Sequence, residues 1–156
     1  MPKQLKKGDT APEFEAKTTN EKTIRLSDFK GKKRVVLYFY PKDDTPGCTT
    51  EACGFRDKLT EIETKGAVIL GVSPDTIKSH QKFSEKFSLP FQLLADEDKT
   101  LCKAYGVWQK KSMYGKEYMG VARTTFIIGK NGKIEKIYKN VKPKIHDEEV
   151  LEFLSA

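Results

Sequence analysis

The sequence predicts a mixed α/β fold, one sheet with helices on both faces. Three observations carry that prediction. The runs RVVLYFY (Arg34–Tyr40) and AVILGVS (Ala67–Ser73) are almost unbroken apolar stretches, the pattern of strands buried on both sides. Between them Phe55, Leu59 and Ile62 recur at helical spacing. Late in the chain, TTFIIGKNGKIEKIYK sets two strands on either side of Asn131-Gly132, a strong hairpin signal. Strand, helix and strand followed by hairpin and helix need a sheet covered on both faces.

Each element has its own local reason. Glu13 to Leu26 alternates and carries Asn20-Glu21 at its middle, which predicts a small N-terminal hairpin. Ser27 reads as the cap of a short helical turn. Arg34–Tyr40 is then a central strand, and Thr50 to Lys65 a helix ending at Gly66, a natural stop. After the strand Ala67–Ser73, Ser73-Pro74-Asp75 opens a polar helix carrying Ile77, Phe83 and Phe87. FQLLAD, after Pro90, is extended, and Asp98 to Tyr105 is helical. Trp108 to Met119 reads as loops. His146 to Leu154 closes the chain as a helix with Val150, Leu151 and Leu154 on one side. This order suits a thioredoxin-like mixed sheet with an N-terminal hairpin extension, in a single domain spanning 1–156.

Bulk properties bound the function. At 156 residues, 37% hydrophobic and 10% aromatic, the chain is long enough for one real core and unlike a disordered or disulfide-scaffold protein. Its start, MPKQLKKGDTAPEF, lacks the apolar core of a signal peptide. No stretch approaches the ~18–20 apolar residues of a membrane span. The longest apolar run, Val35 to Pro41, is only strand length. A soluble cytoplasmic protein without membrane partners is therefore expected. The net charge of +7 comes from scattered lysines, as in Lys6-Lys7, Lys32-Lys33-Arg34 and Lys110-Lys111, a solvated surface rather than a nucleic-acid face.

The chemistry concentrates in YPKDDTPGCTTEACGFRD, Tyr40 to Asp57, which holds two of the three cysteines. Cys48 and Cys53 lie five apart, a spacing unlike Cys-x-x-Cys. A cysteine reacts as its thiolate, whereas a free thiol with pKa near ~8.5 is mostly protonated at neutral pH. Cys48 follows a buried strand and begins a helix, where unpaired N–H groups and the helix dipole favour an anion. Pro46-Gly47 allows a tight turn that aims backbone N–H groups at a bound oxygen. Thr45 offers a hydroxyl as donor and acceptor. Position alone leaves two readings open, a reactive thiol and a small residue packed at a strand–helix junction.

Pro41, Thr45 and Cys48 match Pro-x-x-x-Thr-x-x-Cys, and the chain here resembles the peroxiredoxins. YFYPKDDTPGCTTEACGFRD is similar to their bacterioferritin comigratory, or Q-type, subgroup. The resemblance continues in KGDTAPEFEA, GVSPD, FSLPFQLLAD, AYGVW and GVARTTFIIGKNGKI, so it covers nearly the whole chain. It implies reduction of hydrogen peroxide and organic (alkyl) hydroperoxides with no metal and no bound cofactor. By the same resemblance Cys48 is the peroxidatic cysteine, Thr45 orients the peroxide, Pro41 shields the pocket, and Arg123 of ARTTF is the active-site arginine. An arginine adds a fixed charge that favours a thiolate neighbour. Glu51, one turn after Cys48, is placed to hold Arg123 by a paired fork, although the helix dipole alone also favours a carboxylate there. One departure is Gly129, where the family usually carries an acidic residue before the Asn131-Gly132 turn.

Attack leaves Cys48 as a sulfenic acid, which a second thiol condenses to a disulfide. The resemblance assigns that resolving role to Cys53, and implies a thioredoxin-type dithiol as reductant and a monomer. On an intact helix, residues five apart have Cα atoms about 8.7 Å apart, beyond the ~7 Å that a disulfide tolerates. Resolution therefore calls for local unwinding between Thr45 and Phe55. Cys102, between Leu101 and Tyr105, reads as packing. His80 and His146 are isolated in sequence, read as surface residues, and suggest no zinc site. Disulfide exchange and a redox-sensing binding protein remain the competing functions; both share the oxidised switch but not rapid turnover of peroxide.

Overall fold

Val35, Leu37 and Phe39 point to one side of a strand and Val36, Tyr38 and Tyr40 to the other, and all six are buried. A strand covered twice organises everything around it. The structure, a computed structural model, describes residues 4–156, so the first three residues of the polar N-terminal start lie outside it. In chain order the elements are β1 (Glu15–Thr18), β2 (Thr23–Arg25), a 3-10 turn over Leu26–Phe29, β3 (Arg34–Phe39), α1 (Pro46–Thr64), β4 (Ala67–Ser73), α2 (Ile77–Phe87), β5 (Gln92–Ala95), α3 (Thr100–Ala104), β6 (Trp108–Met113), β7 (Lys116–Val121), β8 (Thr124–Ile128), β9 (Ile134–Lys139) and α4 (His146–Ser155).

The main sheet has seven strands in the order β2-β1-β5-β4-β3-β8-β9. β3, β4 and β5 run parallel, while β8 pairs antiparallel with β3 and β9 with β8. The N-terminal hairpin joins at the other side, through antiparallel pairing of β1 with β5. One face buries Val36, Tyr38, Ile69 and Ile127 under α1, α2 and α4, which contribute Phe55, Ile62, Phe83, Val150 and Leu154. The other buries Val35, Leu37, Phe39 and Phe126 under α3 and the N-terminal segment, through Leu101, Cys102, Phe14 and Leu26. The covered mixed sheet expected from the sequence is the one observed.

Several boundaries differ for physical reasons. Ser27 lies inside the 3-10 turn rather than capping it; Arg25 precedes the turn and its N–H donates to Asp28 Oδ2 at 2.9 Å. The long helix begins at Pro46, not Thr50, because proline's fixed φ and missing N–H suit a first helical turn. Trp108 to Met119, read as loops, belongs to a two-stranded β6–β7 ribbon turned by Tyr114-Gly115, both at positive φ. Its signal was hidden because the outer part of the ribbon has no core to alternate against: Met113, Tyr114, Tyr118 and Met119 are exposed, and only the base, at Trp108 and Val121, meets the core. At Gly129 an added Cβ would meet Glu135 Oε2 at 2.9 Å, so an acidic side chain there would crowd a carboxylate that already pairs with Arg34.

Candidate active site

β3 delivers the chain to Tyr40, and the loop Pro41–Thr45 carries it to the first turn of α1. Thr45 is the N-cap residue in extended conformation, and its carbonyl accepts the Thr49 N–H at 2.8 Å. Its side chain does not cap the helix; Oγ1 donates to Lys42 O at 2.9 Å. The hydroxyl proton is thereby directed into the loop, and the oxygen lone pairs stay available as acceptors. Pro41 is half-buried at the start of the same loop.

Cys48 is buried in the first turn of α1. Arg123, in the short link between β7 and β8, reaches it from a distant part of the chain: Nη2 donates to Cys48 Sγ at 3.3 Å and Nη1 to Glu51 Oε1 at 2.9 Å. The link is held by the Ala122 N–H donating to Val107 O at 2.8 Å and the Val141 N–H donating to Arg123 O at 3.2 Å. Burial opposes the Arg123 charge, but the Cys48 sulfur and the Glu51 carboxyl outweigh it and raise the guanidinium further. Glu51 is fully withdrawn from water, and its second oxygen, Oε2, has no partner. Burial therefore dominates there and pushes the carboxyl up to about 7, against the pull of Arg123.

Gly47 has a role that the sequence reading assigned differently. It sits in ordinary helical backbone, and an added Cβ would meet Arg123 Nη2 at 3.1 Å and Pro143 Cγ at 3.6 Å. The glycine makes room for the guanidinium rather than for a turn. Only the position of Arg123 in space exposes that requirement.

Of the residues singled out by the sequence, the structure brings together Cys48, Glu51 and Arg123, with Thr45 and Pro41 on the loop leading into α1. Cys53 lies half-buried farther along the same unbroken helix and is a free thiol. Cys102 is buried on the opposite face of the sheet, among Leu101, Tyr105 and Val107. Burial and then the Asp96 carboxylate push its thiol far up. The sheet separates it from Cys48, as a packing residue requires.

The histidines are a correction. Both are completely buried rather than at the surface. His146 Nε2 lies 2.7 Å from Thr125 Oγ1, its ring stands edge-on to Phe55, and burial lowers its pKa. His80 lies 2.7 Å from Asp43 in a polar cluster beside the Pro41–Thr45 loop. A histidine among polar neighbours in sequence gives no sign that its helix will dock with that face inward. No described helix is long and apolar enough to cross a membrane.

The site thus joins a thiol at a helix start to an arginine from the β7–β8 link. The family model for the AhpC/TSA family matches residues 7–137. Peroxiredoxin Bcp of Bacillus subtilis is 52% identical over 147 residues, covering 94% of this chain and 93% of that protein.

The chain belongs to the AhpC/TSA family, as a peroxiredoxin of the Bcp or Q type.

A cysteine-to-serine variant of Xylella fastidiosa PrxQ superposes on this peroxiredoxin with a TM-score of 0.92 at 38% identity, covering 98% of this chain and 97% of that one. The Xanthomonas campestris bacterioferritin comigratory protein, studied for its alkyl peroxide reduction, superposes with a TM-score of 0.86 at 39% identity over 91% and 90% of the two chains. This peroxiredoxin has their thioredoxin-like fold and is an enzyme of the peroxidase class.

Proposed function

We propose that this peroxiredoxin reduces hydrogen peroxide and alkyl hydroperoxides through Cys48, with Cys53 as the resolving thiol. The observation that carries the reading is the 3.3 Å contact from Arg123 Nη2 to Cys48 Sγ at the start of α1. A guanidinium aimed at sulfur stabilises the thiolate and stays charged throughout the reaction.

In the first step the Cys48 thiolate attacks the terminal peroxide oxygen. The S–O bond forms as the O–O bond breaks, giving a sulfenic acid and hydroxide or alkoxide, which takes up a proton. Charge spreads from sulfur across both oxygens. Donors fixed along that line, the Arg123 guanidinium and the N–H groups of the first turn of α1, favour the transition state over the ground state. Thr45 Oγ1, its own proton on Lys42 O, accepts the peroxide O–H and sets its direction. Pro41 shields the pocket, and Glu51 holds Arg123.

In the second step the Cys53 thiolate attacks the sulfenic sulfur of Cys48, the S–S bond forms as the S–O bond breaks, and the departing hydroxide takes up a proton to become water. The helix must open first, since residues five apart on wound α1 keep their Cα atoms about 8.7 Å apart. A thioredoxin-type dithiol then reduces the disulfide by two exchange steps and is itself oxidised. The internal resolving thiol needs no second subunit, which suits a monomer.

Stopped-flow oxidation with hydrogen peroxide and with an organic hydroperoxide, followed by mass spectrometry, tests the scheme. Rapid oxidation with a Cys48–Cys53 disulfide is the expected result. A disulfide involving Cys102, or a single oxidation that no dithiol reverses, overturns it.

A further inference from the structure

We propose that Asp43 and His80 form a buried latch that positions the Pro41–Thr45 loop, and through it Thr45, for the reaction at Cys48. The inference rests on Cys48 being the attacking thiol, and concerns residues that do not touch it.

The loop has no strand or helix pairing to hold it, yet Asp43 turns inward while Lys42 and Asp44 on either side are exposed. Oδ1 of Asp43 accepts the Tyr40 hydroxyl at 2.5 Å. Oδ2 accepts the Ser79 hydroxyl at 2.8 Å and lies 2.7 Å from His80 Nδ1. The Asp43 N–H donates to Asp75 Oδ2 at 2.8 Å, and that same oxygen accepts the Ser73 hydroxyl at 2.6 Å. On the far side of the imidazole, His80 Nε2 lies 2.9 Å from the Leu94 carbonyl oxygen. One carboxylate therefore ties the loop to the end of β3, to α2 and, through His80, to β5.

The proton arrangement makes the tie specific. A carbonyl only accepts, so Nε2 must carry a proton and donate to Leu94 O. The contact at Nδ1 then needs a second proton, shared between His80 and Asp43. Asp43, Asp75 and His80 keep their ligand atoms within 4.8 Å of one another, as a metal site would. Those atoms already face protein donors, and the direct Asp43–His80 contact makes them a hydrogen-bonded unit.

The latch reaches the chemistry in two short steps. Fixing Asp43 fixes the preceding carbonyl, Lys42 O, which receives the Thr45 hydroxyl proton. Thr45 in turn is the N-cap of α1 and so leads into the turn that holds Cys48. Misplacing a group in an active site by about 1 Å can lower a rate by ~100-fold.

Asparagine and glutamine separate this role from simple stability. In His80→Asn the amide nitrogen takes the place of Nδ1 and can still donate to Asp43. In His80→Gln it takes the place of Nε2, keeping Leu94 and losing Asp43. Each variant gives up one buried contact, so melting temperature should fall comparably in both. The latch requires His80→Gln to slow peroxide oxidation of Cys48 by about tenfold or more, while His80→Asn stays within about twofold of the native rate.

Equal oxidation rates in the two variants overturn the proposal. Where neither folds, Tyr40→Phe combined with Ser79→Ala removes two donors to Asp43 at little change in volume. Slowed oxidation then supports the latch, and a native rate overturns it. A native protein whose Cys48 is not oxidised by peroxide at all overturns the catalytic reading itself, a result distinct from matched variants of an active enzyme.

Discussion

Arg123 Nη1 and Glu51 Oε1 lie 2.9 Å apart in a pair whose carboxyl has lost all contact with water. Only one of the two Glu51 oxygens finds a partner, so burial wins over the neighbouring cation and raises this acid to about 7. Between its usual 4.5 and that value the folded protein holds a proton that the unfolded chain releases. The stabilisation from neutral Glu51 is full below the lower value and is lost as pH rises through the upper one. It is on the order of 3 kcal/mol.

His146 opposes this trend, because its depressed pKa supplies stability that is lost as pH falls below its usual 6.5. A difference between variants isolates Glu51. Urea unfolding of Glu51→Gln and of the native protein is expected to show the variant gaining stability relative to native as pH rises from about 5 to about 8. A constant difference across that range would contradict the raised acid.

Arg123 is expected to bear on the rate rather than on the fold. Arg123→Ala is expected to slow Cys48 oxidation by about 10²–10³-fold, the usual effect of losing one aimed donor. Arg123→Lys keeps the charge without the fork that spans Sγ and Oε1, and should fall between. Stopped-flow fluorescence or competition kinetics reads both. An alanine variant within a few-fold of native shows that the guanidinium is not part of the reaction.

Cys53→Ser should still be oxidised once by peroxide and then stall as a sulfenic acid, without a disulfide. In the native protein, oxidation should lower hydrogen-exchange protection from Thr45 to Phe55, because α1 must open for the sulfurs to meet. Identical protection in the reduced and disulfide forms contradicts the opening. The oxidised serine variant, with no bond to form, should keep its helix.

Cys102 should be silent to thiol reagents while the protein is folded, since burial and Asp96 both hold it protonated. Cys102→Ser is expected to turn over peroxide normally and to melt at a lower temperature, because a hydroxyl enters an apolar core. Turnover lost in this variant despite a folded protein places a second reactive thiol on the far face of the sheet.

The parts of the fold that were legible in the sequence have two-sided or helical burial. Arg34–Tyr40 and Ala67–Ser73 are apolar because they are covered twice, and both are strands as read. Trp108–Met119 was illegible because the ribbon touches the core only at its base, through Trp108 and Val121. The histidines misled for the opposite reason: burial of a polar side chain depends on partners brought from elsewhere, such as Asp43 and Thr125. At the site, the residues around Cys48 stood out as text. What Gly47 and Asp43 do depends on where Arg123 and His80 arrive, and local spacing carries none of that.

The contact between Cys48 and Arg123 joins positions 75 residues apart. The helix start is local, but the guanidinium is brought to it by the docking of β8 against β3, a pairing between segments distant in sequence. Until then Cys48 lacks the guanidinium and has only the helix start beside it. Under the proposed role of Cys48, its oxidation by peroxide should therefore quicken during refolding as β8 pairs with β3, so that reactivity reads out a distant pairing.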